Sequence, residues 1–215
     1  MFRRIISCLV LSLTIFTPLS SMGSETQAHE NAVTLRFKAF HDPGYLYFSD
    51  KEGKEVEAGF FYRFITFEMV DTWEAGEEFL LFINPDIGVG IKRIVDGTIY
   101  KAIFASDNPI DRAEASCLSK AISTLDISGC YYESRSHWLR EIDFLMNELR
   151  KSSSESLVSE LSAAEQSWQG YETDLMNSFY IHAEEQGGSI KKIQAAALQS
   201  ELMKSRYKQL LSFFE

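Results

Sequence analysis

The hydrophobic period of this chain changes once, near Asp111, and that change limits the folds open to it. Before it, from Val33 to about Ala105, β-branched and aromatic residues alternate or run together in VTLRFKAF, GYLYFS, AGFFYRFITFEMV, EEFLLFINP, GVGIKRIV and TIYKAIFAS. Apolar segments of this kind, bounded by turn chemistry, read as strands. The boundaries are Asp42-Pro43-Gly44, Asp50-Lys51-Glu52-Gly53, Glu74-Ala75-Gly76, Asn84-Pro85-Asp86 and Asp96-Gly97. Asp96-Gly97 is the clearest hairpin signal, because a type I′ turn needs positive φ at both central residues. The pattern predicts five to seven strands in a small antiparallel sheet or sandwich over residues 30–111.

Beyond Asp111 the period is 3.6. Trp138, Ile142, Leu145 or Met146, and Leu149 form one stripe. Leu157, Leu161, Ala164, Trp168, Tyr171, Leu175 and Phe179 form a second, and Ile193, Ala196, Met203, Tyr207, Leu210 and Phe214 a third. Stripes at this spacing are the buried faces of amphipathic helices. The run Ser152-Ser153-Ser154-Glu155 reads as a capping box that separates the first two, and a short hinge makes antiparallel neighbours. The fold class expected is therefore α+β: a small antiparallel β domain, then an antiparallel domain of three to four helices over residues 114–215.

Residues 1–28 read as a secretory signal peptide, with Arg3 and Arg4, an apolar run from Ile5 to Phe16, and small residues around Pro18. The run falls short of the roughly 20 apolar residues that span a bilayer. Cleavage after Ala28 and cleavage near Ser21 to Gly23 both fit. The expected location is the periplasm or the medium, with no membrane association after cleavage. Acidic residues outnumber basic ones 31 to 21, a net charge of −10, and losing Arg3, Arg4 and Glu25 leaves the remainder one unit more acidic. That balance disfavours nucleic acid, whose phosphates need Lys and Arg. It favours either a basic protein partner, met with salt-sensitive rates, or simple solubility. Only Cys117 and Cys130 remain after such cleavage, and an oxidising compartment favours their pairing over two buried free thiols. Closing that loop is worth roughly 3 kcal/mol in the chain-entropy model.

Catalytic signals are missing. Glu77-Glu78 and Glu184-Glu185 are adjacent, so each pair points to different faces. Histidines at 29, 41, 137 and 182 are scattered, and no metal or cofactor site is read from them. There is no G-x-S-x-G, H-E-x-x-H or P-loop pattern, so no enzyme is expected. Asn84 to Gly90 is glycine-rich without being a dinucleotide fingerprint. It reads as a tight or mobile loop or as a protruding recognition loop, and the neighbouring Lys92-Arg93 as added positive charge or an ordinary solvated strand edge, with Asp86, Lys92 and Arg93 as candidate partner-binding residues. A basic side chain entering a carboxylate-lined cleft is one way to block a glycosidase.

From Cys117 to Leu211 the chain resembles the LprI-type lysozyme-inhibitor domain of exported bacterial proteins. CLSKAISTLDISGC, with Cys117 and Cys130, is similar to the family's opening, and Met146-Asn147 with Leu149 to its middle. Ala164-Glu165-Gln166-Ser167-Trp168-Gln169-Gly170-Tyr171-Glu172 resembles its A-Q-x-x-W-x-x-[YF]-R run, and Gly187-Gly188-Ser189 with Leu202 to Arg206 its end. Trp168, Tyr171 and Arg206 are then structural residues of the family motif. Two departures stand out: Met176 and Leu198 occupy the places of a second cysteine pair, and Glu172 reverses the charge of an arginine. The resemblance implies a protein partner, a basic lysozyme or another peptidoglycan hydrolase, bound and inhibited by steric occlusion. The alternatives are an immunity or envelope-stress protein for another periplasmic effector, a small-ligand binder using Phe60, Phe61, Tyr62, Phe64 and Phe67, and an uncharacterised hydrolase.

Overall fold

Alternation along the first half closes into one antiparallel sheet. The computed structural model describes residues 32–41, 45–59, 67–84, 86–104, 108–186 and 188–214. The strands are β1 (Val33–His41), β2 (Tyr45–Ser49), β3 (Glu55–Gly59), β4 (Glu78–Asn84), β5 (Gly88–Arg93) and β6 (Ile99–Lys101), in the order β3-β2-β1-β4-β5-β6. Directly opposed residues share a face. Leu35 with Phe79, Leu81 with Ile91, and Phe48 with Val56 are all buried. Between them Arg36 pairs with Glu78 and Lys38 with Glu55, exposed contacts worth at most about 1 kcal/mol each. Trp73, from the loop after the short helix α1 (Phe67–Val70), packs on Phe37, Phe79 and Tyr100 with ring centroids 4.5–5.4 Å apart.

Two expectations are corrected here. Of the stretch predicted as a strand from Ala58 to Val70, residues 60–66 lie outside the described residues; Ala58 and Gly59 belong to β3, which begins at Glu55, and Phe67 to Val70 coil into α1. Asp96-Gly97 does not form a two-residue turn: Arg93 N donates to the Thr98 carbonyl around a four-residue connection, with Gly97 at φ 75°. Asp96 accepts the Thr98 amide and pairs with Arg93, which ties the wider loop down. The leader at 1–28, His29, the turn at 42–44, the aromatics Phe60, Phe61, Tyr62 and Phe64, and Gly187 lie outside the described residues.

Four long helices follow: α2 (Pro109–Lys120), α3 (Thr124–Ser152), α4 (Glu155–Gln186) and α5 (Ser189–Leu211). The first opens where it does because the Asn108 side chain accepts the Ile110 amide and Pro109 needs no partner. A capping box forms at Ser123 and Asp126, not in the serine run, where the Ser154 hydroxyl alone caps α4 by accepting the Leu157 amide. Helices α3 and α5 run parallel, with Ser134 against Ser200 and Trp138 against Tyr207, and α2 lies antiparallel to α5 through Glu114–Ser200 and Lys204–Asp111. The first stripe is buried as expected at Trp138, Ile142, Leu145, Met146 and Leu149. Full burial of side chains this size is worth roughly 1.5–3 kcal/mol each. One continuous apolar cluster extends from Leu35 and Phe79 in the sheet to Leu145 and Tyr207 in the helices, and the Tyr207 hydroxyl donates to the Phe104 carbonyl at 3.3 Å.

Candidate functional site

The sheet and helix α3 meet at one buried ion pair. Lys101 places its Nζ 2.6 and 2.7 Å from the two carboxylate oxygens of Glu141. The same carboxylate accepts the Val89 amide at 2.8 Å, and Lys101 also donates to the Val89 carbonyl at 3.1 Å. Glu141 is 1% exposed. Burial pushes its carboxyl above the usual range and the Lys101 ammonium below its own, while each partner opposes the other's shift. Such charges persist inside a fold only when paired and hydrogen-bonded. Gly88 permits the approach: its φ is 73°, and a Cβ there would run into the Glu141 carboxylate.

Beside this pair lies a groove of about 720 Å³. Its sheet wall is Asn84, Asp86, Ile87, Ile99 and Lys101. Its helix wall is Arg140, Asp143, Phe144 and Asn147, which share one face of α3 by their three- and four-residue spacing. The loop is held by Asn84, whose Oδ1 accepts the Asp86 amide at 2.7 Å and the Ile87 amide at 3.3 Å. The Lys101 ammonium sits 4.9 Å from the centre of the Phe144 ring. Arg140 donates from Nη2 to His137 Nδ1, while its Nε is buried without a partner.

Burial keeps the His137 pKa below the ordinary 6.5, Arg140 adds to the shift, and Glu133 opposes it. The unfolded chain takes up a proton near pH 6.5 and the folded chain only at lower pH, so stability falls as pH falls through that window and levels off below it. Urea unfolding at about pH 7.5 and about pH 5 should therefore show a smaller loss for His137→Gln than for the native chain. An identical loss in both would refute the assignment.

Of the candidate partner-binding residues Asp86, Lys92 and Arg93, Asp86 lines the groove, together with Asn84 and Ile87 of the glycine-rich segment. Arg93 is held by Glu77 at 2.6 Å, Asp96 at 3.1 Å and the Thr72 carbonyl at 2.9 Å. These contacts hold its guanidinium within the fold, with the side chain 16% exposed. Lys92 is half-buried opposite Leu80 and Ile99. Asn147 entered the sequence reading only as part of the family resemblance, and Asp143, Lys101 and Glu141 went unnoticed, although Glu141 carried a signal: it is a charge in phase with the apolar stripe from Trp138 to Leu145.

A second feature lies at the turn between α2 and α3. Cys117 and Cys130 form the expected disulfide across it. The Ala121 amide donates to the Cys117 and Leu118 carbonyls, the Ser123 hydroxyl accepts the Asp126 amide, and the Asp126 carboxylate accepts the Ser123 and Ile122 amides. Those bonds hold the Asp126 carboxyl below its usual range. On this pinned turn Ile122 is 95% exposed and Leu125 80%. The paired cysteines open a stretch, residues 117–210, that matches the protein-family model described as "Lysozyme inhibitor LprI". The C-terminal region is an LprI domain. This is a family of inhibitors, not of enzymes, and it implies lysozyme as the partner. No curated protein and no solved structure matches the chain.

Within the LprI domain two of the three motif residues meet. Arg206 donates from Nε and Nη2 to one Glu165 oxygen at 3.1 and 2.7 Å and lies 5.7 Å from the Trp168 ring centre. Tyr171 does not join them. It is 57% exposed, contrary to its expected place in the core, because the inward face of α4 runs through Leu161, Trp168, Met176 and Ala183. The charge reversal at Glu172 also finds a partner, Arg135 of α3, at 3.5 Å. Met176 is buried and Leu198 half-buried at the places of the second cysteine pair.

Proposed function

We propose that this protein is exported to the periplasm or medium, where it binds a lysozyme or related cell-wall hydrolase and stops it by steric occlusion. The observation that carries this reading is the match of residues 117–210 to a lysozyme-inhibitor family. Electrostatics agree: a chain of net charge −10 meets a basic enzyme favourably over roughly a Debye length. The α2–α3 turn is the contact we assign to the hydrolase. It lies inside the matched region, and its backbone is fixed before binding, so little ordering entropy opposes docking. Ile122 and Leu125 supply the exposed apolar anchors that interfaces concentrate their energy on. Occlusion by such a turn needs no covalent step.

The test is a titration of the disulfide-bonded protein against c-, g- and i-type lysozymes and bacterial lytic enzymes, at low and physiological salt. Stoichiometric loss of at least one activity, weaker at the higher salt, is expected. Full activity of every enzyme at stoichiometric excess would overturn the reading.

A further inference from the structure

We propose that the groove between the Asn84–Ile87 loop and helix α3 binds a neutral oligosaccharide. This site is separate from the α2–α3 turn, and the proposal stands or falls independently of lysozyme inhibition. Charge balance narrows the ligand first. The lining carries two carboxylates, Asp86 and Asp143, and two cations, Arg140 and Lys101. Their formal sum is zero, or −1 when the buried Glu141 behind Lys101 is included. A phosphate would face both carboxylates, and an ammonium group would face both cations, so neither sign is selected.

The hydrogen-bonding inventory narrows it further. Asp86 and Asp143 are exposed, and among the described residues their four carboxylate oxygens hold no bond within the groove. Asn84 and Asn147 use their Oδ1 atoms inside the protein, the first on the Asp86 and Ile87 amides and the second on Arg150, which leaves both side-chain NH2 groups to donate. The groove thus offers acceptor-only and donor-only groups interspersed, on planar side chains suited to bidentate contacts. A hydroxyl donates and accepts at one atom, and a sugar ring carries hydroxyls on successive carbons. A peptide backbone supplies a single N–H per residue, too sparse for two unpaired carboxylates. The remaining wall is apolar: Ile87 is 37% exposed, Ile99 52%, and Phe144 completes it. The C–H face of a sugar ring covers such a surface while its edge reaches the polar groups.

Size and rigidity fit the same ligand. A volume of about 720 Å³ falls within the roughly 300–1,000 Å³ of small-molecule sites and holds more than one sugar ring. Asn84 fixes the loop, and the Gly88–Glu141 contact locks the sheet to α3, so both walls are set before a ligand arrives.

Nuclear magnetic resonance titration of the isotope-labelled, disulfide-bonded chain with N-acetylglucosamine tetramer and with cellotetraose tests this. Saturable shifts confined to the amides of Asn84, Asp86, Ile87 and residues 99–101 and 140–147 are expected for at least one of them, unchanged between low and physiological salt. Asp143→Ala and Asn147→Ala are exposed-site changes that leave the fold intact, and each should weaken binding about tenfold. Absence of shifts with both tetrasaccharides at millimolar concentration, shifts elsewhere, or equal affinity in both variants would overturn the proposal. So would a tetra-lysine or tetra-alanine peptide occupying the groove in their place.

Discussion

Replacing Glu141 with alanine is expected to cost about 3–5 kcal/mol of folding stability, the largest loss from any single polar change in this protein. The variant strips three bonds at once. Lys101 loses contacts at 2.6 and 2.7 Å, and the Val89 amide loses its acceptor at 2.8 Å. What remains is an ammonium 10% exposed, facing only the Val89 carbonyl and the Phe144 ring. The cost is that of a stranded charge, and it differs from the worth of the pair. A double variant makes the distinction. Lys101→Met with Glu141→Leu keeps comparable volume and removes both charges, leaving only the Val89 amide unsatisfied, a penalty of about 1–3 kcal/mol. Urea unfolding of the native chain, Lys101→Met, Glu141→Leu and the double variant closes a thermodynamic cycle, with Glu141→Ala measured beside it. The double variant should be more stable than Glu141→Ala. A Glu141→Ala loss under about 1 kcal/mol would show that the ion pair does not join sheet to helix as its geometry implies.

Sequence patterns located elements better than they located contacts between them. Alternation at Leu35 and Phe37 and at Phe79 and Leu81 marked strand faces correctly, because period two is imposed by the pleat whatever packs above it. The stripe from Trp138 to Leu149 was equally plain, as was the Cys117–Cys130 bridge. The end of the strand assigned to Ala58–Val70 is helix α1 instead, because aromatic residues suit strands and short helices alike, whereas the charged segment Glu55-Val56-Glu57 forms an edge strand with Val56 buried. Tyr171 was misplaced for a different reason. A stripe drawn at alternating three- and four-residue steps drifts over six turns, and the ion pairs of Glu165 and Glu172 set the true inward face of α4. One wall of the groove was legible at Asn84, Asp86 and Ile87, in the segment that Asn-Pro-Asp marked as a turn. Its other wall stands more than 50 residues away in sequence, and no local pattern states that Asp143 and Asn147 will face that loop. Register between a helix and a sheet is set by the whole core, here by a Glu141 that only Gly88 lets in.

The second large effect concerns binding. Ile122→Ser with Leu125→Ser is expected to raise the dissociation constant for the inhibited hydrolase at least about 30-fold, the equivalent of a hot spot of about 2 kcal/mol. Serine is the informative replacement. A new carboxylate would add to the long-range attraction between an acidic inhibitor and a basic enzyme and so offset part of the loss. Stability should stay within about 0.5 kcal/mol of the native chain, because side chains 95% and 80% exposed contribute almost nothing to the core. The effect should fall on dissociation, since apolar anchors act after encounter, while raised salt should slow association equally for native and variant proteins. Unchanged affinity would move the contact away from the turn without touching the family assignment of residues 117–210. The pattern of rates then separates the two parts of the proposed mechanism: a loss in dissociation rate alone assigns the turn the role of anchor, and a loss in association rate assigns recognition to the charge of the surrounding surface.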